Sequence, residues 1–85
     1  MKLSLTLPTP LDETLVQNIT SRLTAIDNRT TVTSRNLKEG RIWFEFPPTG
    51  SEEDIATIDA LGDVFRKWLD DGNPPIRVYT MVLNG

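Results

Sequence analysis

The sequence of 85 residues contains no cysteine and no histidine. Without cysteine the chain can form no disulfide, no zinc-thiolate site, no iron–sulfur cluster and no thiol nucleophile. Without histidine it lacks the commonest general base, the usual pH switch near neutrality and the main nitrogen ligand of transition metals. No motif supplies an activating base or a glycine-rich anion cradle in their place. We therefore expect no metal, no cofactor and no enzymatic activity.

Long apolar runs and an excess of basic charge are also lacking. No segment approaches the roughly 20 apolar residues of a membrane span, and Ser4, Thr6 and Pro8 interrupt the N-terminal segment before it reaches signal-peptide length. The net charge of -3 opposes non-specific attraction to nucleic acid or anionic lipid. We expect a cytoplasmic chain without membrane contact, folded as a single domain over residues 1–85.

Four segments have the alternation or the β-branched content of strands. They are residues 2–7, 30–37, 41–46 and 76–83. The first and third have a continuous apolar face, formed by Leu3, Leu5 and Leu7 and by Ile42, Phe44 and Phe46. The second has only Val32 and Leu37 as apolar anchors, which predicts an edge strand. A short turn ending at Gly40 predicts a hairpin between the second and third strands.

Two amphipathic helices separate these strands. The first is predicted to have Pro10 at its first helical position and to end near Asp27, where Asn28 would close it in the left-handed conformation. Its apolar stripe consists of Leu11, Leu15, Val16, Ile19, Leu23 and Ile26. The second is predicted to have Ser51 as its N-cap. Its inward residues are predicted to be Ile55, Ile58, Leu61, Val64, Phe65, Trp68 and Leu69. Gly62 lies on the same arc, so we expect a close approach to the sheet and a destabilising effect of Gly62→Leu.

The order strand, helix, strand, strand, helix, strand is typical of the ferredoxin-like βαββαβ sandwich. In this α+β fold two helices cover one face of a four-stranded antiparallel sheet. Right-handed crossovers would place the first and third strands in the centre and the second and fourth at the edges. The stronger apolar pattern of the first and third strands agrees with this arrangement. An α+β fold with a different strand order is the alternative.

The sheet face that neither helix covers is the main candidate for function. The alternation assigns to it the residues Trp43, Tyr79, Arg41, Arg77, Met81 and Arg35. These residue types are enriched at the centres of protein interfaces, so we expect a protein partner, which includes a second copy of this chain in a homodimer. The alternative without function is that Trp43 and Tyr79 shield each other and the arginine stems on an exposed sheet.

Single-stranded RNA is the alternative partner for this face. RNA-recognition domains of this architecture stack bases on sheet aromatics, a role that Trp43 and Tyr79 would fill here. However, the third strand has no signature of lysine or arginine, glycine and an aromatic residue, and the first strand has no aromatic residue. The acidic net charge also opposes RNA binding. We therefore keep nucleic acid as the alternative and a protein as the main expectation.

Acidic residues are concentrated on or beside the second helix. Seven of the twelve in the chain lie there, namely Glu52, Glu53, Asp54, Asp59, Asp63, Asp70 and Asp71. A secondary acidic surface formed by Asp59, Asp63 and Asp70 would attract a basic partner. The ordinary interpretation is a solvated helix face in which Lys67 is spaced to pair with Asp63 and Asp71. By size and charge, the chain is comparable to regulatory adaptors and phage-encoded inhibitors, and we expect a regulator or an inhibitor.

Overall fold

The computed structural model describes residues 1–47 and 50–82, apart from the side chains of residues 51 and 78–80. In this part the chain forms a two-layer α+β sandwich of a four-stranded antiparallel sheet and two helices. The elements are β1 (Lys2–Thr6), α1 (Glu13–Thr24), β2 (Thr31–Asn36), β3 (Arg41–Glu45), α2 (Ser51–Asp70) and β4 (Arg77–Val82). The strand order is β2-β3-β1-β4, which confirms the prediction that β1 and β3 are central and β2 and β4 are at the edges.

A single core joins the sheet to both helices. Its buried members from the strands and the segments that follow them are Leu3, Leu5, Leu7, Ile42, Phe44 and Phe46, and those from the helices are Val16, Ile19, Leu23, Leu61 and Trp68. Full burial of one such side chain stabilises the fold by roughly 1.5–3 kcal/mol. The apolar faces predicted for β1 and β3 and the apolar stripe predicted for α1 are confirmed, since every member is buried or half-buried in this cluster.

The N-terminus of α1 differs from the prediction because its cap is another residue. The helix begins three residues after Pro10, and the Asp12 carboxylate caps it by accepting a hydrogen bond from the Leu15 amide at 2.8 Å. The Leu11 amide donates to the Leu37 carbonyl at 2.8 Å. This bond ties the segment before Asp12 to the turn after β2, so the segment cannot join the helix.

The C-terminus of α1 differs from the prediction as well, because the helix ends at Thr24, three residues before the predicted end near Asp27. Asp27 turns the chain there, because its carboxylate accepts hydrogen bonds from the Arg29 amide at 2.9 Å and from the Arg29 guanidinium at 3.0 Å. The hydrogen bond from the Arg29 side chain holds the pKa of Asp27 below its usual value. Asn28 does not take the left-handed conformation, so that prediction is wrong.

Helix α2 begins one residue earlier than predicted. Its N-cap is Gly50, which has no side chain to accept a hydrogen bond, and Ser51 is already the first helical residue. The prediction that Ser51 is the N-cap is therefore wrong. Asp54 is buried in the first turn, where its negative charge is favourable to the helix dipole.

The predicted apolar face of α2 is only partly covered. Five of its seven residues join the core, whereas Ile55 and Leu69 are 60% and 52% exposed. Gly62 is exposed as well, and a Cβ at this position would meet no atom of another described segment within 4 Å, so the predicted close approach to the sheet is wrong. The seven residues span about half of the helix circumference, and the buried part is centred on Leu61 and Trp68.

A bulge in β2 reverses the sides of the residues that follow it. The pairing with β3 shifts between Val32 and Ser34. Beyond the shift, Arg35 lies opposite the buried Ile42, and its guanidinium pairs with Glu13 of α1 at 2.9 Å. Because one extra residue moves all later side chains to the other face, the prediction that Arg35 lies on the open face is wrong. Val32, a predicted anchor, is 37% exposed.

A second irregularity, between β1 and β4, has the same effect on the last strand. The pairing shifts between Ser4 and Leu5 of β1. As a result Met81 lies opposite the buried Leu3 and packs against the core, so its predicted place on the open face is wrong. Val82 lies on the open face instead and is 53% exposed. Residue 83, the predicted end of this strand, lies outside the described residues.

Candidate functional site

The open face of the sheet is centred on Trp43 of β3. This side chain is half-buried and lies opposite Ser4 of β1 and Ser34 of β2. Arg41, two residues earlier and therefore on the same face, has its Cζ 5.6 Å from the centroid of the Trp43 ring. This distance is that of a cation–π contact, which holds the guanidinium over the indole.

A groove of about 290 Å³ lies beside Trp43. Its lining includes Lys2, Ser4, Thr33, Trp43, Glu45 and Val82. The groove thus combines an aromatic ring and an aliphatic side chain with one cation, one carboxylate and two hydroxyl-bearing residues. Such a mixture of apolar area and a few polar groups suits a protein side chain better than a purely apolar ligand.

Ser4 is a buried polar residue in this lining. It is 3% exposed, and its Oγ has no hydrogen-bond partner among the described residues. Thr6, two residues further along β1, also has a buried hydroxyl without a partner in the described part of the chain. An unsatisfied buried hydroxyl costs about 1–3 kcal/mol. A group that enters the groove and hydrogen-bonds to Ser4 would recover part of that cost.

The six residues predicted to bind a partner do not all share this face. Arg41, Trp43 and Arg77 lie on it, since Arg77 is opposite Thr6 on the side of β1 that faces away from the core. Arg35 and Met81 lie on the helix side. The side chain of Tyr79 lies outside the described residues, and the pairing places its backbone at the irregularity between Ser4 and Leu5.

Cations outnumber anions on the described part of the open face. Lys2, Arg41 and Arg77 lie there together with the carboxylate of Glu45. The charge of this face is therefore opposite in sign to the net charge of -3 of the whole chain. A local positive field of this kind favours a partner that presents carboxylates.

The predicted acidic surface lies on the outer side of α2. Asp59, Asp63 and Asp70 are all exposed. Asp63 lies 3.8 Å from Arg66 instead of pairing with the predicted Lys67. Pairs between exposed side chains contribute little to stability, so most of the negative charge on this surface remains available to solvent or to a partner.

A third cluster joins the two helices. The Arg22 guanidinium of α1 donates to the Asp71 carboxylate at 2.8 Å and lies 5.2 Å from the centroid of the buried Trp68 ring. Lys67 lies 3.7 Å from the same carboxylate, which confirms the predicted pair. The hydrogen bond from Arg22 holds the pKa of Asp71 below its usual value. These contacts are on the helix side of the molecule, and we assign them to the packing of α1 on α2.

Within residues 1–47 and 50–82, no three acidic side chains converge in a way that would hold a metal ion. No described helix has the length and apolar character needed to cross a membrane. In comparisons with known proteins, no protein-family model, no curated protein and no solved structure matches this chain.

Proposed function

We propose that this chain is a non-enzymatic protein-binding regulator or inhibitor that contacts its partner through the open sheet face around Trp43. The observation that supports it is the half-buried Trp43 beside a groove lined by the buried Ser4 hydroxyl, which has no hydrogen-bond partner among the described residues. Tryptophan and arginine are the residue types that most often dominate the binding energy of interfaces. A buried polar atom that gains a hydrogen bond on association adds directional specificity.

The charges of the face favour an acidic partner surface. Lys2, Arg41 and Arg77 would attract carboxylates, and Glu45 restricts where a carboxylate is accepted. The acidic surface of Asp59, Asp63 and Asp70 is a second candidate, suited to a basic partner region. The two surfaces are on different layers of the sandwich, since one belongs to the sheet and the other to α2.

We also propose a finer description of the fold as a ferredoxin-like sandwich. The order β2-β3-β1-β4 supports it, because two right-handed split βαβ crossovers place the first and third strands in the centre. The shared core of the sheet and both helices agrees with this description. For location we propose the cytoplasm, in keeping with a chain that has no cysteine to oxidise.

Single-stranded RNA is the alternative partner. Stacking of a base requires a free aromatic face, and Arg41 lies over one face of the Trp43 ring. Glu45 in the same groove repels a phosphate group. Both observations favour a protein partner.

Capture of partners from a lysate of the source organism tests the proposal. Trp43→Ala removes the central aromatic anchor, and loss of an interface anchor weakens binding by about 30-fold or more. We expect this variant to lose the partner that the wild-type chain captures. Lys38→Ala, which truncates an exposed side chain in the turn between β2 and β3, is the control and should retain it. Retention by Trp43→Ala would contradict the proposal.

Two further experiments distinguish the open face as a protein-binding site from RNA binding and from binding through the acidic surface. A fluorescence titration with mixed-sequence single-stranded RNA should show no binding, whereas micromolar binding that weakens steeply with salt would favour the RNA alternative. A double variant with Asp59→Lys and Asp63→Lys should still capture the partner. If it alone loses the partner, the secondary acidic surface is the binding site.

A further inference from the structure

Helix α2 has an exposed apolar stripe that no described part of the chain covers. Ile55 and Leu69 are 60% and 52% exposed, and Gly62 lies midway between them with open space at its Cβ position. Residues spaced by seven drift by only about 20° per repeat around a helix, so the three lie on one line. We call Ile55, Gly62 and Leu69 the α2 stripe.

The stripe faces away from α1 and towards the edge of the sheet at β4. On the other side of α2, Val64 lines a groove shared with Arg22, and Arg22 bonds to Asp71. Helix α1 in turn is tied to the opposite edge, because Glu13 pairs with Arg35 of β2. With α1 towards β2, the uncovered flank of α2 lies towards β4.

The strand at that edge has a free side. Among the described strands β4 pairs only with β1, so the backbone groups along its outer side have no strand partner in the described part of the chain. A free edge of this kind is a template for another strand. An unpaired edge next to an uncovered apolar helix flank matches a partner that offers the same two features, and a second copy of this chain does so.

We propose that this edge is a homodimer interface, in which β4 pairs antiparallel with β4 of a second copy and the two α2 stripes pack on each other. The two-fold axis of an antiparallel β4–β4 pair within one sheet is perpendicular to that sheet, so the two α2 helices are antiparallel and each contact occurs twice. With the axis at Gly62, Ile55 of each copy faces Leu69 of the other, because both are seven residues from Gly62. The stripe is therefore self-complementary.

Gly62 and the flanking charges fit the same arrangement. A glycine inside a helix costs about 1 kcal/mol relative to alanine, and a Cβ at Gly62 would meet no atom of another described segment within 4 Å, so no packing in the described part of the chain requires a glycine here. At the axis, the missing side chain lets the two helix backbones approach closely. Asp59 and Arg66 are three residues before and four residues after Gly62, so Asp59 of each copy comes beside Arg66 of the other. That pairing favours a second copy over an unrelated partner.

Sedimentation equilibrium of the full chain over micromolar concentrations tests the proposal. We expect a monomer–dimer equilibrium that Leu69→Glu shifts by at least about tenfold towards monomer, because the buried charge enters the interface twice. Ala56→Glu introduces the same side chain at an exposed position off the stripe and should leave the equilibrium unchanged. A monomer at all concentrations overturns the proposal. So does a dimer that Leu69→Glu leaves intact and Trp43→Ala dissociates, since it would use the open face.

Crosslinking tests the position of the axis. Because the chain has no cysteine, Gly62→Cys introduces a single thiol, which meets its own symmetry mate only if the axis passes near Gly62. A short bismaleimide should crosslink this variant into dimers in much higher yield than Ala56→Cys. Equal yields from the two variants would overturn the proposed arrangement.

Discussion

Gly40 connects the β2–β3 turn to the segment that follows β1. Its φ is +72°, and its carbonyl accepts a hydrogen bond from the Leu7 amide at 2.8 Å. A Cβ at this position would lie 2.6 Å from the carbonyl oxygens of Leu7 and Thr9. Glycine is therefore required here both for its backbone conformation and for the space that its missing side chain leaves.

We expect Gly40→Ala to lower the free energy of unfolding by about 2–5 kcal/mol, the sum of a left-handed backbone and a clash with fixed backbone atoms. The control is Gly72→Ala. Its φ of +86° is equally unfavourable, but a Cβ there meets no atom of the described residues within 4 Å, so the loss should be only about 1–2 kcal/mol. Urea denaturation followed by circular dichroism measures both. Equal losses would show that the backbone around Gly40 moves aside.

The environment of Ser4 could be predicted from the sequence only in part. Its place on the outward face of β1 follows from alternation, and the structure agrees, because it lies opposite Trp43. Its burial, and the lack of a hydrogen-bond partner for its hydroxyl among the described residues, depend on the side chains of the neighbouring strands, and no local pattern predicts them. The only signal available was a small polar residue at the middle of a central strand.

At the scale of elements, the contact between α1 and the end of α2 depends on Asp71. Two aspartates in the last turn of a helix oppose its dipole. For Asp71 this unfavourable interaction with the dipole is compensated, because its carboxylate accepts a hydrogen bond from Arg22 at 2.8 Å and lies 3.7 Å from Lys67. Asp70 has no ion pair in the described part of the chain. The two neighbouring carboxylates therefore have opposite effects on the stability of the helix end.

This difference predicts a pH dependence. Because Arg22 holds the pKa of Asp71 below its value in the unfolded chain, the stabilisation is complete above the unfolded-state pKa and is lost as the pH falls through the folded-state pKa. We expect Asp71→Asn to lower the free energy of unfolding near pH 7 and to match the wild-type chain near pH 2. Asp70→Asn, the control, should not destabilise at either pH. If Asp71→Asn lowered the free energy of unfolding equally near pH 7 and near pH 2, the stabilising role assigned to the Arg22–Asp71 contact would be contradicted.

The elements themselves followed from the sequence, and the errors arose at their edges. Alternation and helical spacing predicted all six elements and the central position of β1 and β3, because those patterns reflect burial on one side. The sequence does indicate the register shift in β2, because Val32 and Leu37 are both apolar but would lie on opposite faces of an unbroken strand. The sequence does not indicate the shift between β1 and β4, because both faces of β4 are apolar. Bulges of this kind decided where Arg35 and Met81 lie.

The sequence also did not predict which flank of α2 is exposed, and the reason differs from that for the bulges. Seven apolar residues span half of the helix, and the sequence does not tell which part of that arc the sheet covers. The position of α1 decides it, through Arg22 and its contacts with Asp71 and Trp68. Ile55 and Leu69 are left at the uncovered side.

At the scale of the whole molecule, the two proposed interfaces do not compete for the same surface. The open face lies on the side of the sheet away from the helices, whereas the proposed dimer joins the edges at β4. Pairing of two such edges would produce one sheet with eight strands, four from each copy. Its open side would then present two Trp43 surfaces to a partner, and a partner with two matching sites would bind with a higher avidity than a single contact gives.

Hydroxyl-radical footprinting of the free chain and of its complex with a captured partner tests the central claim most directly. The chain has two tryptophans, and they provide their own comparison. Trp43 is half-buried on the open face, whereas Trp68 is fully buried and should react in neither state. We predict that oxidation of Trp43 falls when the partner binds. Equal oxidation of Trp43 in the free and bound chain, with protection elsewhere, would contradict the assignment of the open face as the binding surface.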